Sequence, residues 1–190
     1  MRLLGIGGSL REGSTSLLAL KAALRYAEEA GASTVLADVG AMDLPVYRPD
    51  VPPEVYPPAL LWLLGEVRAA DALILCSPTY HGTVSGAVKN VLDALDPLGA
   101  DDPPYLGGKV VGLMALGGGS ATQVLDALHH AVRALNGLTA PIVVAVPAGA
   151  PDPETGEVGD EAVWRRLDLM VRQVIELARR LRVQDTANTR

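Results

Sequence analysis

Short runs of apolar residues alternate along the chain with longer segments in which apolar residues recur every three or four positions. A strand-length run that is apolar throughout is typical of a strand buried on both faces of a parallel sheet. Five such runs predict strands at Arg2–Gly7, Ser33–Asp38, Ala72–Ser77, Lys109–Ala115 and Ile142–Val146. The periodic segments predict helices at Ser14–Ala30, Pro58–Ala70, Val84–Leu95, Ala121–Leu135 and Glu161–Leu181.

Alternating strands and helices predict an α/β fold, a doubly wound five-stranded parallel sheet with helices on both faces. We expect a single domain over residues 1–182 and a disordered polar tail at 183–190. Two long connections, Val39–Pro57 and Pro147–Gly159, are candidate functional loops. Ligands of such sheets bind beyond the carboxyl ends of the strands, so the residues after the first, third and fourth strands are the candidate contacts.

Composition and charge disfavour several other classes of protein. The 190-residue chain has a formal net charge of −6, whereas binding to nucleic acid or to anionic membranes depends on Lys and Arg. No apolar run approaches the ~20 residues of a membrane span. The apolar run at the N-terminus is also too short for a signal peptide. We therefore expect a cytoplasmic protein that binds neither nucleic acid nor membrane.

The chain has one cysteine, Cys76, which cannot form an internal disulfide and fits a reducing compartment. Its place at a strand end is more typical of a small buried hydrophobic residue than of a nucleophile. No Cys/His pattern predicts a zinc or iron–sulfur site.

The loop after the first predicted strand combines Arg11 with hydroxyl groups at Ser9, Ser14, Thr15 and Ser16, directly before a helix. A helix N-terminus has free N–H groups and a partial positive charge, so it favours an anion. A guanidinium group adds paired donors for phosphate oxygens. Such residues also occur as ordinary helix caps, but their number here favours a phosphate site.

Two better-known phosphate motifs fit this loop less well. Gly8 and Gly13 have the spacing of a Walker A loop, but Ser14 stands where that motif requires Lys, which disfavours a nucleotide hydrolase. The dinucleotide-binding fingerprint G-x-G-x-x-G is met by Gly5 and Gly7, but Leu10 stands where its third Gly is required. The loop therefore predicts a site for a monophosphate.

The loop after the third predicted strand contains Pro78, Thr79, Tyr80, His81 and Gly82, a composition typical of a tight turn. Tyr80 is a candidate to stack on a flat ligand or border it, although a loop aromatic can instead cover the core. His81 is compatible both with a contact at the ligand edge and with an exposed, inactive side chain.

After the fourth predicted strand, Gly117, Gly118 and Gly119 allow the backbone to lie close to a planar ring. Ser120 and Gln123 predict a capping box at the start of the next helix. The alternative interpretation is a flexible loop followed by an ordinary helix cap.

Two motifs together resemble the NADPH-dependent FMN reductase family. The family has a G-S-x-R-x-x-S-x-N phosphate loop and an S-P-x-Y-N-G flavin loop followed by K-N. The matching segments are Gly8–Ser16, Ser77–Gly82 and Lys89–Asn90. Ser16 and His81 depart from the family, which usually has Asn at both positions.

The resemblance implies a flavodoxin-like protein that binds FMN and uses NADPH or NADH as co-substrate. Hydride would pass to FMN and electrons to a small-molecule acceptor, such as free flavin, a quinone, an azo compound or a metal oxyanion. Because the cofactor carries this chemistry, no catalytic side chain and no metal are expected. A homodimer or homotetramer is implied as well. The implied cofactor contacts are Ser9, Arg11, Ser14, Thr15, Ser16, Pro78, Thr79, Tyr80, His81, Gly82, Gly117, Gly118 and Gly119.

Two other functions remain open for this sequence. A flavodoxin-like electron carrier would show no NAD(P)H activity. Such carriers commonly place large aromatic residues around the ring, whereas this chain has no Phe, and Trp62 and Trp164 lie outside the ligand loops. A non-enzymatic FMN-binding regulatory domain would bind the ligand without turnover and is compatible with the same fold.

Overall fold

The computed structural model describes residues 1–152 and 159–188. The strands are β1 (Arg2–Gly7), β2 (Ser33–Asp38), β3 (Ala72–Tyr80), β4 (Thr83–Val84), β5 (Val110–Leu116) and β6 (Leu138–Val146). The α-helices are α1 (Thr15–Glu29), α2 (Val39–Met42), α3 (Pro58–Ala69), α4 (Gly86–Asp93), α5 (Ala121–Ala134) and α6 (Glu161–Asn188). Short 3₁₀ helices lie at Pro53–Val55 and Asp96–Ala100.

Five of the strands form a parallel sheet in the order β2-β1-β3-β5-β6, and β4 pairs antiparallel with the end of β3. This order is the flavodoxin-like one, with a switch point between β1 and β3 where the connections leave in opposite directions. The predicted doubly wound, five-stranded sheet is confirmed, and its switch point defines where a ligand crevice forms.

Helices cover both faces of the sheet, so the core has two halves. Leu4 and Ile6 of β1 pack in the half built with α3, α4 and α5, whereas Leu3 packs in the half built with α1 and α6. All three side chains are fully buried. Successive side chains of a strand point to opposite faces of the sheet, and helices bury both faces. The strand sequences are therefore apolar throughout. Among the described residues, no helix combines the length and the apolar character needed to cross a membrane.

Some boundaries differ from the prediction. β3 continues to Tyr80 because the chain folds back on itself into β4, and β6 begins earlier, at Leu138. α6 continues to Asn188, beyond the predicted end at Leu181, since no Gly or Pro follows Leu181 to end it. Part of the predicted loop Pro147–Gly159, residues 153–158, lies outside the described residues.

The predicted capping box at Ser120 is wrong. The Ser120 side chain makes no capping hydrogen bond, and only its carbonyl oxygen accepts one from the Gln123 N–H, at 3.2 Å. A capping residue normally has an extended backbone, whereas Ser120 has φ −92° and ψ 3°. The hydroxyl is therefore not held over the first turn of α5.

The long connection after β2 is attached to α4 by one side chain, Asn90. Its Oδ1 accepts a hydrogen bond from the Tyr47 N–H at 2.7 Å. Its Nδ2 donates to the carbonyl oxygens of Leu44 and Pro45, at 3.3 and 3.0 Å. The Asn of the K-N motif is therefore used to position a loop.

Replacing Asn90 by Ala should lower the free energy of unfolding by about 1–3 kcal/mol, because it leaves three backbone groups of the loop without partners. The neighbouring Lys89→Ala is the matched control, since it removes an exposed ion pair with Asp93 and should cost less than about 1 kcal/mol. Urea denaturation of both variants measures the difference. Equal losses would contradict the role assigned to Asn90.

Candidate functional site

A cavity of about 300 Å³ lies at the carboxyl ends of the strands, at the switch point of the sheet. Loops that follow β1, β3, β5 and β6 surround it. The lining residues are Ser9, Arg11, Gly13, Ser14, Thr15, Ser16, Pro78, Thr79, Tyr80, Leu116, Gly117 and Ala148. The structure thus brings most of the predicted site residues to one place.

The β1–α1 loop assembles the predicted hydroxyl groups at the N-terminus of α1. Ser14 is the N-cap, and its Oγ accepts from the Leu17 N–H at 3.3 Å and lies 2.9 Å from Ser16 Oγ. Ser9 Oγ accepts from the Arg11 N–H at 3.3 Å. These hydroxyls therefore shape and cap the loop, as the simpler interpretation expected, while the helix N-terminus opens onto the cavity.

Arg11 is exposed at this loop and lines the cavity. Its guanidinium group has no hydrogen bond or ion pair with any other described residue. An unpaired cation beside a helix N-terminus creates a site of positive potential, which suits an anionic group.

Cys76 lies beneath the loop, fully buried, and its Sγ donates to the carbonyl oxygen of Ser16 at 3.4 Å. Desolvation raises the pKa of this thiol well above its ordinary value. A buried thiol that stays protonated is not a nucleophile, so the prediction of a small hydrophobic residue is confirmed.

The tip of the β3–β4 hairpin consists of His81 and Gly82. Tyr80 pairs with Thr83, and the two residues between them have positive φ, 51° for His81 and 78° for Gly82. Such a two-residue turn prefers Asn-Gly, and His is among the residues that enter the left-handed region. His81 therefore satisfies the turn at the position where the family has Asn.

Several predicted contacts lie at the edge of the cavity. His81, Gly118 and Gly119 are exposed, and together with Gly82 they do not line it. Tyr80 is 46% exposed and belongs to neither half of the core, so it does not serve to cover the core.

The sequence reasoning missed Leu116 and Ala148, which line the cavity. Leu116 is the last residue of β5, and Ala148 follows β6 in a loop that was noted only for its length. Small apolar residues carry no chemical signal, and only their place at the strand ends could have indicated them.

Thr79 supplies the clearest sign that the cavity receives a polar ligand. Among the side chains that the structure describes, those of residues 1–152 and 159–182, its Oγ1 is the one buried oxygen or nitrogen without a hydrogen-bond partner. It packs against Gly117, where a Cβ would lie 2.5 Å from that Oγ1. An unpartnered buried hydroxyl costs roughly 1–3 kcal/mol, so a ligand group would relieve the cost. A narrow glycine wall, a free hydroxyl and a cationic helix N-terminus fit a planar ligand that carries a phosphate.

The fold and this site define a flavodoxin-like α/β protein with a ligand crevice at the switch point of its sheet. The sequence matches the NADPH-dependent FMN reductase family over residues 1–151, and the chain belongs to that family. The cofactor of the family is FMN, and the residues of the cavity fit it.

Individual relatives agree with this assignment. The chain is 39% identical over 93 residues to an NAD(P)H-dependent FMN reductase of Pseudomonas aeruginosa, a match that spans about half of each protein, 49%. It is 34% identical over 154 residues to an FMN-dependent NADPH-azoreductase of Staphylococcus saprophyticus, covering 75% of this chain and 79% of that one. It is 28% identical over 186 residues to a quinone reductase of Escherichia coli, covering 93% and 94%.

Solved structures agree on the fold. A flavoenzyme NAD(P)H:(acceptor) oxidoreductase from Paracoccus denitrificans superposes with a TM-score of 0.77 at 21% identity, covering 94% of this chain and 97% of that one. An archaeal flavodoxin superposes with a TM-score of 0.62 at 14% identity, covering 96% and 99%.

Thr79→Val should have opposite effects on the free and the FMN-bound protein. Removing the unpartnered hydroxyl should stabilise the FMN-free protein by about 1 kcal/mol, and losing a hydrogen bond to the ligand should weaken FMN binding about fivefold. Thermal unfolding and fluorescence titration with FMN measure the two effects. Thr79→Ser, which keeps the hydroxyl, is the control and should retain the affinity. An unchanged affinity in Thr79→Val would remove the hydroxyl from the ligand contacts.

Proposed function

We propose that this protein is an FMN-dependent oxidoreductase that transfers a hydride from NADPH or NADH to FMN and passes the electrons to a small-molecule acceptor. The main support is a cavity that is lined both by the cationic N-terminus of α1 and by residues of the loops after β3 and β5. Membership of the NADPH-dependent FMN reductase family supports the choice of both cofactors.

The phosphate of FMN is assigned to the β1–α1 loop. Ser9, Ser14, Thr15 and Ser16 offer hydroxyls and helix N–H groups, and Arg11 offers a cation without another partner. Such a set binds a dianionic phosphate through charge-assisted hydrogen bonds. Ser16 supplies a buried polar group at the position where the family usually has Asn, so the substitution keeps the polar character of this loop.

The flavin ring is assigned to the slot between the loops after β3 and β5. Pro78, Thr79 and Tyr80 line the cavity from one loop and Gly117 from the other, and the ring would lie against Thr79 and Gly117, which are in contact with each other. His81, Gly82, Gly118 and Gly119 border the ring region farther from the cavity. When bound, FMN would supply the redox chemistry, that is, acceptance of hydride and transfer of electrons. The chain would bind and orient it without a catalytic side chain.

Free flavin, quinones, azo compounds and metal oxyanions are the acceptor classes that we propose. The names of the E. coli and S. saprophyticus relatives include quinone reductase and azoreductase. The largely exposed ring of Tyr80 stands at the rim, where an acceptor of varied shape can approach.

A cytoplasmic homodimer or homotetramer is part of the same proposal. Leu10 and Val46 are 67% and 80% exposed and line one apolar groove of about 300 Å³ between the β1–α1 loop and α4. A contiguous exposed apolar patch is a candidate subunit contact. The single buried Cys76 suits a reducing compartment, and the net charge of −6 suits a protein that does not bind nucleic acid.

The test of the function is the absorbance spectrum of the purified protein, followed by NADPH and NADH oxidation with and without added FMN. We expect a flavin spectrum or FMN-dependent oxidation of the nicotinamide. FMN binding without oxidation would instead indicate an electron carrier or a regulatory domain, and a protein with neither property would refute the proposal.

Arg11→Ala tests the phosphate assignment. Because the variant loses a charge-assisted hydrogen bond, FMN affinity should fall about tenfold or more, whereas riboflavin, which has no phosphate, should bind as it does to the unmodified protein. Arg133→Ala, in an exposed position on α5, is the control and should leave both affinities unchanged. If riboflavin and FMN lost affinity equally in Arg11→Ala, the phosphate would have to lie elsewhere.

A further inference from the structure

A second cavity, of about 430 Å³, lies on the other side of the β1–α1 loop. The loop, the first turns of α1 and the segment after β2 surround it. Ser9, Arg11, Gly13 and Ser14 line both cavities, so the second cavity and the proposed FMN site adjoin at this loop.

The second cavity is flanked by two cations without partners. Most Lys and Arg side chains of the protein are paired, through carboxylates or backbone carbonyl oxygens. In the described part of the chain, the side chains without such a partner are Arg11, Lys21, Arg133 and Arg179. Arg11 and Lys21 line the second cavity, whereas the other two lie on α5 and α6. Arg11 also lines the proposed FMN site, so Lys21 is the unpaired cation that lines the second cavity alone, and it favours an anionic ligand group there.

A carboxylate also lines this cavity. Asp38 is the last residue of β2, and its Oδ1 accepts from the Gly40 N–H at 2.9 Å. Its Oδ2 has no hydrogen bond with a described residue. In dinucleotide-binding α/β folds, an acidic residue at the corresponding place accepts a hydrogen bond from a ribose hydroxyl of the adenosine.

We propose that the second cavity binds the phosphorylated adenosine half of NADPH or NADH, with Lys21 facing phosphate and Asp38 facing a ribose hydroxyl, while Arg11 remains with the FMN phosphate. The lining includes Glu12 as well, so it carries both signs of charge. A nucleotide has anionic phosphates and hydroxyl and amino donors, and it fits such a lining better than a simple anion does. The volume lies within the roughly 300–1,000 Å³ of small-molecule sites.

The position of the cavity suits a cofactor that must also reach the flavin. Gly13 lines both cavities, and no other atom lies within 4 Å of the place of its missing Cβ. The loop surface is open at Gly13, so a dinucleotide bound in the second cavity would extend over it toward Tyr80 and the flavin. This inference rests on the proposed function, because it concerns the co-substrate of that reaction.

The experiment uses the FMN-loaded protein and ADP-ribose, which is the adenosine part of the cofactor without nicotinamide. Calorimetric titration should detect binding to the unmodified protein, and Lys21→Glu should weaken it at least about tenfold through lost attraction to phosphate. Arg133→Glu changes the net charge of an exposed helix by the same amount and should change the affinity less than about twofold. Lys21→Glu should also raise the KM for the nicotinamide while the Kd for FMN stays unchanged.

Three results would overturn the inference. One is equal weakening by Lys21→Glu and Arg133→Glu, which would reveal a general charge effect. Another is competition by inorganic phosphate as strong as that by ADP-ribose, which would indicate a simple anion site. The third is NADPH oxidation by the unmodified protein without detectable ADP-ribose binding. Absence of FMN-dependent NADPH oxidation in the unmodified protein would instead refute the proposed function.

Discussion

The close pairing of β1 with β3 at their carboxyl ends is the constraint on which the site depends. Gly7 pairs with Cys76, and a Cβ at position 7 would clash with the carbonyl oxygen of Cys76. The Cys76 thiol in turn donates to the carbonyl oxygen of Ser16 in the first turn of α1. The ends of two central strands and the N-terminus of a helix are thus held together without any ligand, which is the preorganisation that a cofactor site requires.

Several residues of the family motifs also stabilise the structure of the free protein. Asn90 fixes the connection after β2, and the hydroxyl of Ser14 caps α1. His81 occupies a left-handed turn position, which explains how His can replace Asn without breaking the hairpin. Because the turn and the cap would keep these residues even without a ligand, the unpartnered groups are the more informative ones. The side chains of Thr79 and Arg11 line the cavity and make no hydrogen bond to another described residue.

The sequence predicted those features that depend on local patterns. The bounds of β1 and β2 agree with the prediction because Gly, Ser and Asp delimit each apolar run, and the hydroxyl loop lies at a strand end as its position indicated. The hairpin at Tyr80 was missed because its turn has His where Asn or Asp would have signalled it. The second cavity was missed because it depends on contact between distant segments, as where Gly40 lies so close to Ser9 that a Cβ would be 2.7 Å from its carbonyl oxygen.

Charged side chains with a partner stabilise the folded protein, whereas those without a partner remain available to a ligand. On α6, Arg172 is paired with a carboxylate one helical turn away, and Arg2 pairs with Glu66 between distant segments. Around the β1–α1 loop this pairing is missing, so the loop keeps charge and hydrogen-bonding capacity that contribute little to the stability of the free protein. A ligand that uses this capacity binds the folded state alone and stabilises it, by about 2.7 kcal/mol at a concentration a hundred times its Kd. The groups that the fold leaves unpaired are therefore the ones through which cofactor binding can both stabilise the protein and prepare it for hydride transfer.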